Sequence, residues 1–125
     1  MNPPASKVLI CDDEEGIRES LKLILEEHYE LIVTEDSHQC LDCLKHGENI
    51  GVVLLDIKMP NRNGLDTLKE IKEKHPKQKV VIVTGYQSVE LLAEMQKLGA
   101  DGYITKPFDS KEILRVVKKQ ANNQD

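Results

Sequence analysis

The chain has 125 residues, enough for one domain and too few for two, with a formal charge of −5, one Phe, three Tyr and no Trp. A domain of this length buries roughly two-thirds of the surface its unfolded form exposes, while the acidic balance and the scarcity of aromatics exclude a phosphate-backbone binder and a base-stacking platform. No apolar stretch reaches the eighteen or so residues of a membrane span, Met1 to Lys7 lacks the apolar centre of a signal peptide, and an odd three cysteines argue for reduced thiols; the expectation is a cytoplasmic protein with no membrane partner.

After a lead at 1–6 expected to be disordered, apolar runs of four or five residues alternate with stretches of helical spacing. Strands are predicted at Lys7 to Cys11, Glu30 to Thr34, Val52 to Asp56, Lys79 to Thr84 and Gly102 to Thr105. Between them Ile17, Leu21, Ile24 and Leu25 share one helix face, as do Leu65, Leu68 and Ile71, then Leu91, Met95 and Leu98, and finally Ile113, Val116 and Val117. Asp36 or Ser37 is placed to cap the second helix, and Asp109 stands three residues before Glu112 as an Asp-headed capping box. Gly47, Pro76 and Gly99 mark stops. Right-handed crossovers of this length impose a parallel sheet with helices on both faces. The folded unit is expected over 7–119, with 120–125 a polar tail or the start of a linker.

The strand ends carry the chemistry. Asp12 and Asp13 follow the first strand, Asp56 closes the third, Thr84 the fourth, and Lys106 follows the fifth. In a doubly wound sheet, ligands bind beyond the carboxyl ends of the strands where strand order reverses. Taking the order as 2-1-3-4-5, which the letters do not fix, strands one and three flank that crevice and their three carboxylates converge. Mutual repulsion would raise one carboxyl pKa; a hard divalent cation removes the conflict, and Mg²⁺ is commonly held by one or two carboxylates plus substrate phosphate. Asp56 can then act as a nucleophile toward phosphorus, with the Lys106 ammonium and the Thr84 hydroxyl serving phosphoryl oxygens.

These residues bring the chain into line with a family. Val8 to Glu14 (VLICDDE), Val52 to Pro60 (VVLLDIKMP), Asn63-Gly64, Val80 to Gly85 (VVIVTG) and Gly99 to Phe108 (GADGYITKPF) resemble, in order, the receiver domain of bacterial two-component response regulators, over about residues 7 to 119. The resemblance implies a flavodoxin-like five-stranded parallel sheet with five helices. It implies a phosphorelay switch, not an enzyme acting on other substrates: Asp56 takes a phosphoryl group from a sensor histidine kinase or histidine phosphotransfer protein. It implies Mg²⁺ held by Asp13 directly, Asp12 mainly through water, Asp56, and the backbone carbonyl of Lys58. Lys106 becomes the phosphoryl-binding lysine, followed by a cis bond to Pro107, and Thr84 and Tyr103 the switch pair. Phosphorylation would draw the Thr84 hydroxyl inward, let the Tyr103 ring follow, and rearrange the face of the fourth helix, fifth strand and fifth helix. An output domain or protein target is expected there, dimerisation on phosphorylation is a further expectation, and direct nucleic-acid binding is not expected. Lys58, Gly85 and Tyr86 are the positions expected to tune phosphoryl lifetime.

Two other readings compete. An aspartate-nucleophile phosphatase also uses strand-end Asp, Thr and Lys with Mg²⁺, but it generally carries a second Asp two positions after the nucleophile, where this chain has Lys58. A receiver-like module that is never phosphorylated is the other alternative, and it has no need of the acceptor residues that are all present. His38, Cys40, Cys43 and His46 suggest zinc by spacing, yet they fall on one predicted helix, which cannot wrap a tetrahedral ion without unwinding. Cys11 is read as core, and His28 and His75 as solvated near helix ends.

Overall fold

A computed structural model describes residues 7–46, 49–59, 62–85 and 88–122. The lead at 1–6, the stop at Gly47, Pro60, Tyr86 and residues 123–125 lie outside them. The elements run β1 (Lys7–Cys11), α1 (Glu15–Leu25), β2 (Glu30–Thr34), α2 (Ser37–Lys45), β3 (Ile50–Leu55), α3 (Gly64–Lys74), β4 (Lys79–Thr84), α4 (Val89–Lys97), β5 (Gly102–Thr105) and α5 (Ser110–Asn122). All five strands are parallel in one sheet ordered β2-β1-β3-β4-β5. The assumed order is therefore the order found.

Because strand side chains alternate, each run divides between two cores. Leu9, Cys11, Val53, Leu55, Val80 and Ile82 face one side, covered by Cys40 and Leu44 of α2, Leu68 and Ile71 of α3, and Met95 of α4. Val8, Ile10, Val52, Leu54, Val81, Val83 and Ile104 face the other, under Leu21 and Leu25 of α1 and Ile113 and Val117 of α5. Each fully buried aliphatic side chain contributes about 1.5–3 kcal/mol. Cys11 belongs to the first core, as read from the sequence, and its Sγ donates to Asp36 O at 3.3 Å.

Helix ends follow local chemistry. Asp36 caps α2, accepting from Gln39 N at 2.8 Å, and Asp109 Oδ1 accepts from Glu112 N at 2.8 Å. Ser88, which sequence reasoning left without a role at the helix start, caps α4 by accepting from Leu91 N at 3.0 Å. Gly99 ends α4 at φ +95°, with Ala100 N donating to Met95 O and Gly99 N to Gln96 O, both at 3.0 Å. Those two bonds make a Schellman stop, and the positive φ is why glycine stands there.

Three differences from the sequence reading have physical causes. β3 spans Ile50–Leu55 instead of Val52 to Asp56: Lys7 pairs with Ile50 and Val8 with Val52, so Gly51 is an extra residue in a bulge that broke the apolar run. Asp56 already lies past the strand, its N–H still donating to Cys11 O at 3.0 Å. A two-residue antiparallel ribbon, Lys58–Met59 with Arg62–Asn63, follows, too short to carry any periodicity. α5 continues beyond 119, because Gln120 is buried and its Nε2 donates to Asp101 O at 3.0 Å; Gln120 to Asn122 are helix rather than tail.

At the amino ends of the strands, Lys72 Nζ donates to Gln78 O at 2.6 Å and to Asp101 Oδ2 at 2.8 Å, and that same oxygen accepts from Val80 N at 2.9 Å. One carboxylate thus ties α3, β4 and the approach to β5 together. Lys72→Met is expected to lower unfolding free energy by about 1–3 kcal/mol, since it strips a largely buried carboxylate of its nearer cation and leaves only Lys79, 3.9 Å away. Urea denaturation should show the loss, and an unchanged midpoint would mean the network is idle.

Candidate functional site

At the opposite rim, the carboxyl ends of β1, β3 and β5 deliver their polar residues to one place. Parallel strands make this possible, since every strand exits on the same side. Asp12 and Asp56 are 2% and 3% exposed, Thr84 is 3%, and Asp13 and Glu14 are open to solvent. Asp12, Asp13, Glu14 and Asp56 each present a carboxylate oxygen, all within 4.8 Å of one another. Lys106 Nζ enters this group, 3.0 Å from Asp12 Oδ2, 3.1 Å from Glu14 Oε1 and 3.4 Å from Asp56 Oδ2.

Backbone bonds fix the two buried carboxylates. Asp12 Oδ1 accepts from Glu14 N at 2.9 Å, and Asp56 Oδ1 accepts from Lys58 N at 3.0 Å. The second oxygen of each is turned toward the ammonium. Arg18, on the second turn of α1, donates from Nη1 to Asp12 O at 2.9 Å, with Nη2 3.7 Å from Glu35 Oε2, and so pins the acidic turn from behind. Gly64 N donates to Ile57 O at 2.9 Å, drawing the start of α3 hard against the backbone that carries Asp56.

The electrostatics are strained. Burial is the main cause that pushes the Asp56 carboxyl up to about 6, with the Asp12 charge adding to it against the Lys58 N–H and Lys106. Burial likewise raises Asp12, in spite of the Glu14 N–H and Lys106. For Lys106, burial favours the neutral amine, but Asp12 first, then Asp56 and Glu14, outweigh it and hold the ammonium above the usual lysine value.

The donor set suits a hard cation. Every side-chain donor is a carboxylate oxygen, and Asp12 Oδ2 is buried with no hydrogen-bond partner among the described residues, because Lys106 meets it as an ion pair outside hydrogen-bond geometry. One ammonium shared among three carboxylates compensates each of them only in part. A divalent ion would offset the crowding of four acids around one ammonium.

Asp56, Lys106, Lys58 and Gly85, with Glu14, line a cavity of about 290 Å³. Thr84 closes β4 within the same rim, paired with Thr105, and Lys106 N donates to Thr84 O at 2.9 Å. Tyr103 lies level with Ile82, its side chain 44% exposed. The Lys106–Pro107 peptide bond is cis. Of the spaced His38, Cys40, Cys43 and His46, Cys40 is core while His46 Nδ1 contacts Asp42 O at 2.8 Å. Sequence reasoning gave no role to Glu14 or Arg18. Their signal was present: Glu14 is the next residue after the acidic pair, and Arg18 sits one turn further along the helix it begins.

Comparison with known proteins returns a single theme. Residues 8–118 match the model of the response regulator receiver domain. Sporulation initiation phosphotransferase F of Bacillus subtilis is 37% identical over 114 residues, covering 90% of this chain and 91% of that protein. Transcriptional regulatory protein CpxR of Escherichia coli is 33% identical over 90% of this chain but only 48% of its own length, so the chain spans about half of that regulator. The crystal structure of a CheY-like receiver domain protein from Methanospirillum hungatei superposes with a TM-score of 0.90 at 33% identity, covering 96% of each chain.

Proposed function

The chain belongs to the response regulator receiver domain family, a family of signalling modules, and on that premise we propose that its phosphoacceptor is Asp56, loaded by a histidine kinase or a histidine phosphotransfer protein. The observation that supports this reading most strongly is the convergence of Lys106, just past β5 and fifty residues beyond Asp56, on both Asp12 and Asp56. Asp12 and Asp13, with Asp56 and the backbone carbonyl of Lys58, would hold Mg²⁺. When bound, the ion supplies positive charge against the carboxylates and the incoming phosphoryl group.

The chain's own groups do the rest. An Asp56 oxygen forms the new bond to phosphorus as the donor's bond breaks and the donor leaves with the electron pair. Lys106 meets one phosphoryl oxygen and the Thr84 hydroxyl another. The added charge of about −1.5 to −2 then biases Thr84 toward the site, and Tyr103, 44% exposed, is the ring that follows. Lys58 and Gly85, which line the cavity, are placed to govern access of the water that later hydrolyses the acyl phosphate. The face of α4, β5 and α5 is the output surface, to an appended domain or a separate protein; cytoplasmic residence follows from partners of this kind.

Incubation with acetyl phosphate and Mg²⁺ should add one phosphoryl group by intact mass, and chelation of the metal should prevent it. A chain that stays unmodified with the metal present would refute the proposal.

The raised Asp56 carboxyl also sets a pH dependence. Cation binding needs the carboxylate, so a proton on Asp56 competes below its pKa of about 6. Mg²⁺ affinity measured calorimetrically should be level above about pH 7 and fall by up to about tenfold per unit below about pH 6. A flat profile would remove Asp56 from the ligand set.

A further inference from the structure

We propose that Glu14 is a positioning residue: it latches Lys106 in the resting protein and has to let go before the lysine can serve a phosphoryl group on Asp56. The proposal rests on Asp56 being the acceptor.

Lys106 Nζ is bracketed by three carboxylates, and the contact with Glu14 Oε1, 3.1 Å, is shorter than that with Asp56 Oδ2, 3.4 Å. With Asp12 Oδ2 at 3.0 Å, the ammonium lies nearer to Asp12 and Glu14 than to the acceptor. The three partners differ in how freely they can leave. Asp12 and Asp56 are buried and each is tied by a backbone N–H, whereas the Glu14 side chain is 61% exposed. It alone of the three can swing into water at little cost.

The local structure frees this arm. Glu14 occupies the N-cap of α1, where the shorter Ser, Thr, Asp or Asn side chains accept from the first turn of the helix and Glu is poorly suited to do so. Here it makes no cap bond; its backbone N–H is taken up by Asp12, and its carboxylate reaches across to β5's lysine instead. Glu14 also lines the same cavity as Asp56, Lys58 and Gly85. A phosphoryl group entering there brings about −1.5 to −2 charge beside the Glu14 carboxylate. Repulsion opens the latch as the new oxygens compete for the ammonium.

The test is the initial rate of phosphorylation by acetyl phosphate at saturating Mg²⁺. Glu14→Gln should accelerate it about two- to fivefold, the range an exposed ion pair can supply, and high salt should erase the gain by screening the latch in the wild type. Glu14→Asp separates reach from charge: one methylene shorter, it should behave like the Gln variant if contact with Lys106 matters. Wild-type behaviour of Glu14→Asp, or a Glu14→Gln rate equal to or below wild type, would overturn the latch while leaving the acceptor in place. A wild type that takes no phosphoryl group overturns the acceptor assignment and the latch with it.

Discussion

Asp56→Asn is expected to abolish phosphoryl transfer from acetyl phosphate outright and, in metal-free buffer, to make the protein more stable. The two effects have one origin. The Asp56 carboxyl is 3% exposed and pushed up to about 6, chiefly by burial. At pH 7 the folded protein must keep it ionised in a site that disfavours the charge, at a cost on the order of 1–3 kcal/mol. The amide carries no charge and keeps an oxygen for the Lys58 N–H, so the cost vanishes along with the nucleophile. The sign follows from the raised folded-state value: wild type gains stability as pH falls from about 6 toward the ordinary carboxyl value of 3.8, and the advantage of Asp56→Asn shrinks over that window. Thermal unfolding between pH 4 and 8 would show the curves converging at the acidic end. A variant that is still labelled, or one less stable than wild type at pH 7 without metal, contradicts this account.

The second large effect is expected at Gly64. A Cβ there would collide with the Ile57 Cα and come within 2.8 Å of Asp56 O and of Ile57 C. All three are backbone atoms, so no side-chain rotation relieves the clash. Gly64→Ala should destabilise by about 2–4 kcal/mol, as overpacking against a rigid neighbour does. It should also cut phosphorylation, because the backbone that has to move carries Asp56 and Lys58. Gly16 is the matched control: it lies in α1 with nothing within 4 Å of its added Cβ, and Gly16→Ala should stabilise by about 0.5–1 kcal/mol through helix propensity. Equal behaviour of the two variants would show that proximity at Gly64 is unimportant.

The contrast between these glycines shows where sequence suffices and where it stops. The buried central runs of β1, β3 and β4 were legible because parallel, doubly covered strands are written largely as Val, Ile and Leu, and four of the five strands were placed with the bounds found. Strand order was legible only as an assumption, and the bulge at Gly51 hid the true start of β3. The convergence of Asp12, Asp13, Asp56 and Lys106 could be anticipated because strand ends in such a sheet share a rim. Glu14 was passed over although it directly follows the acidic pair, because only the fold shows its carboxylate reaching Lys106. Asp101 and Lys72 were invisible for a related reason: their meaning lies in three separate elements meeting at one oxygen. Gln120 misled by its polarity, which is satisfied by a carbonyl inside the fold.

The sheet therefore has two edges with different duties. Lys72, Asp101 and Gln120, beside the amino ends of β4 and β5, fasten the layers and touch none of the groups around Asp56. Because Asp101 and Gln120 join β5 to α5, that lower border anchors the far end of the same two elements whose surface faces the partner. Substitutions along it should therefore shift stability, and the coupling of β5 to α5, before they alter the chemistry at Asp56.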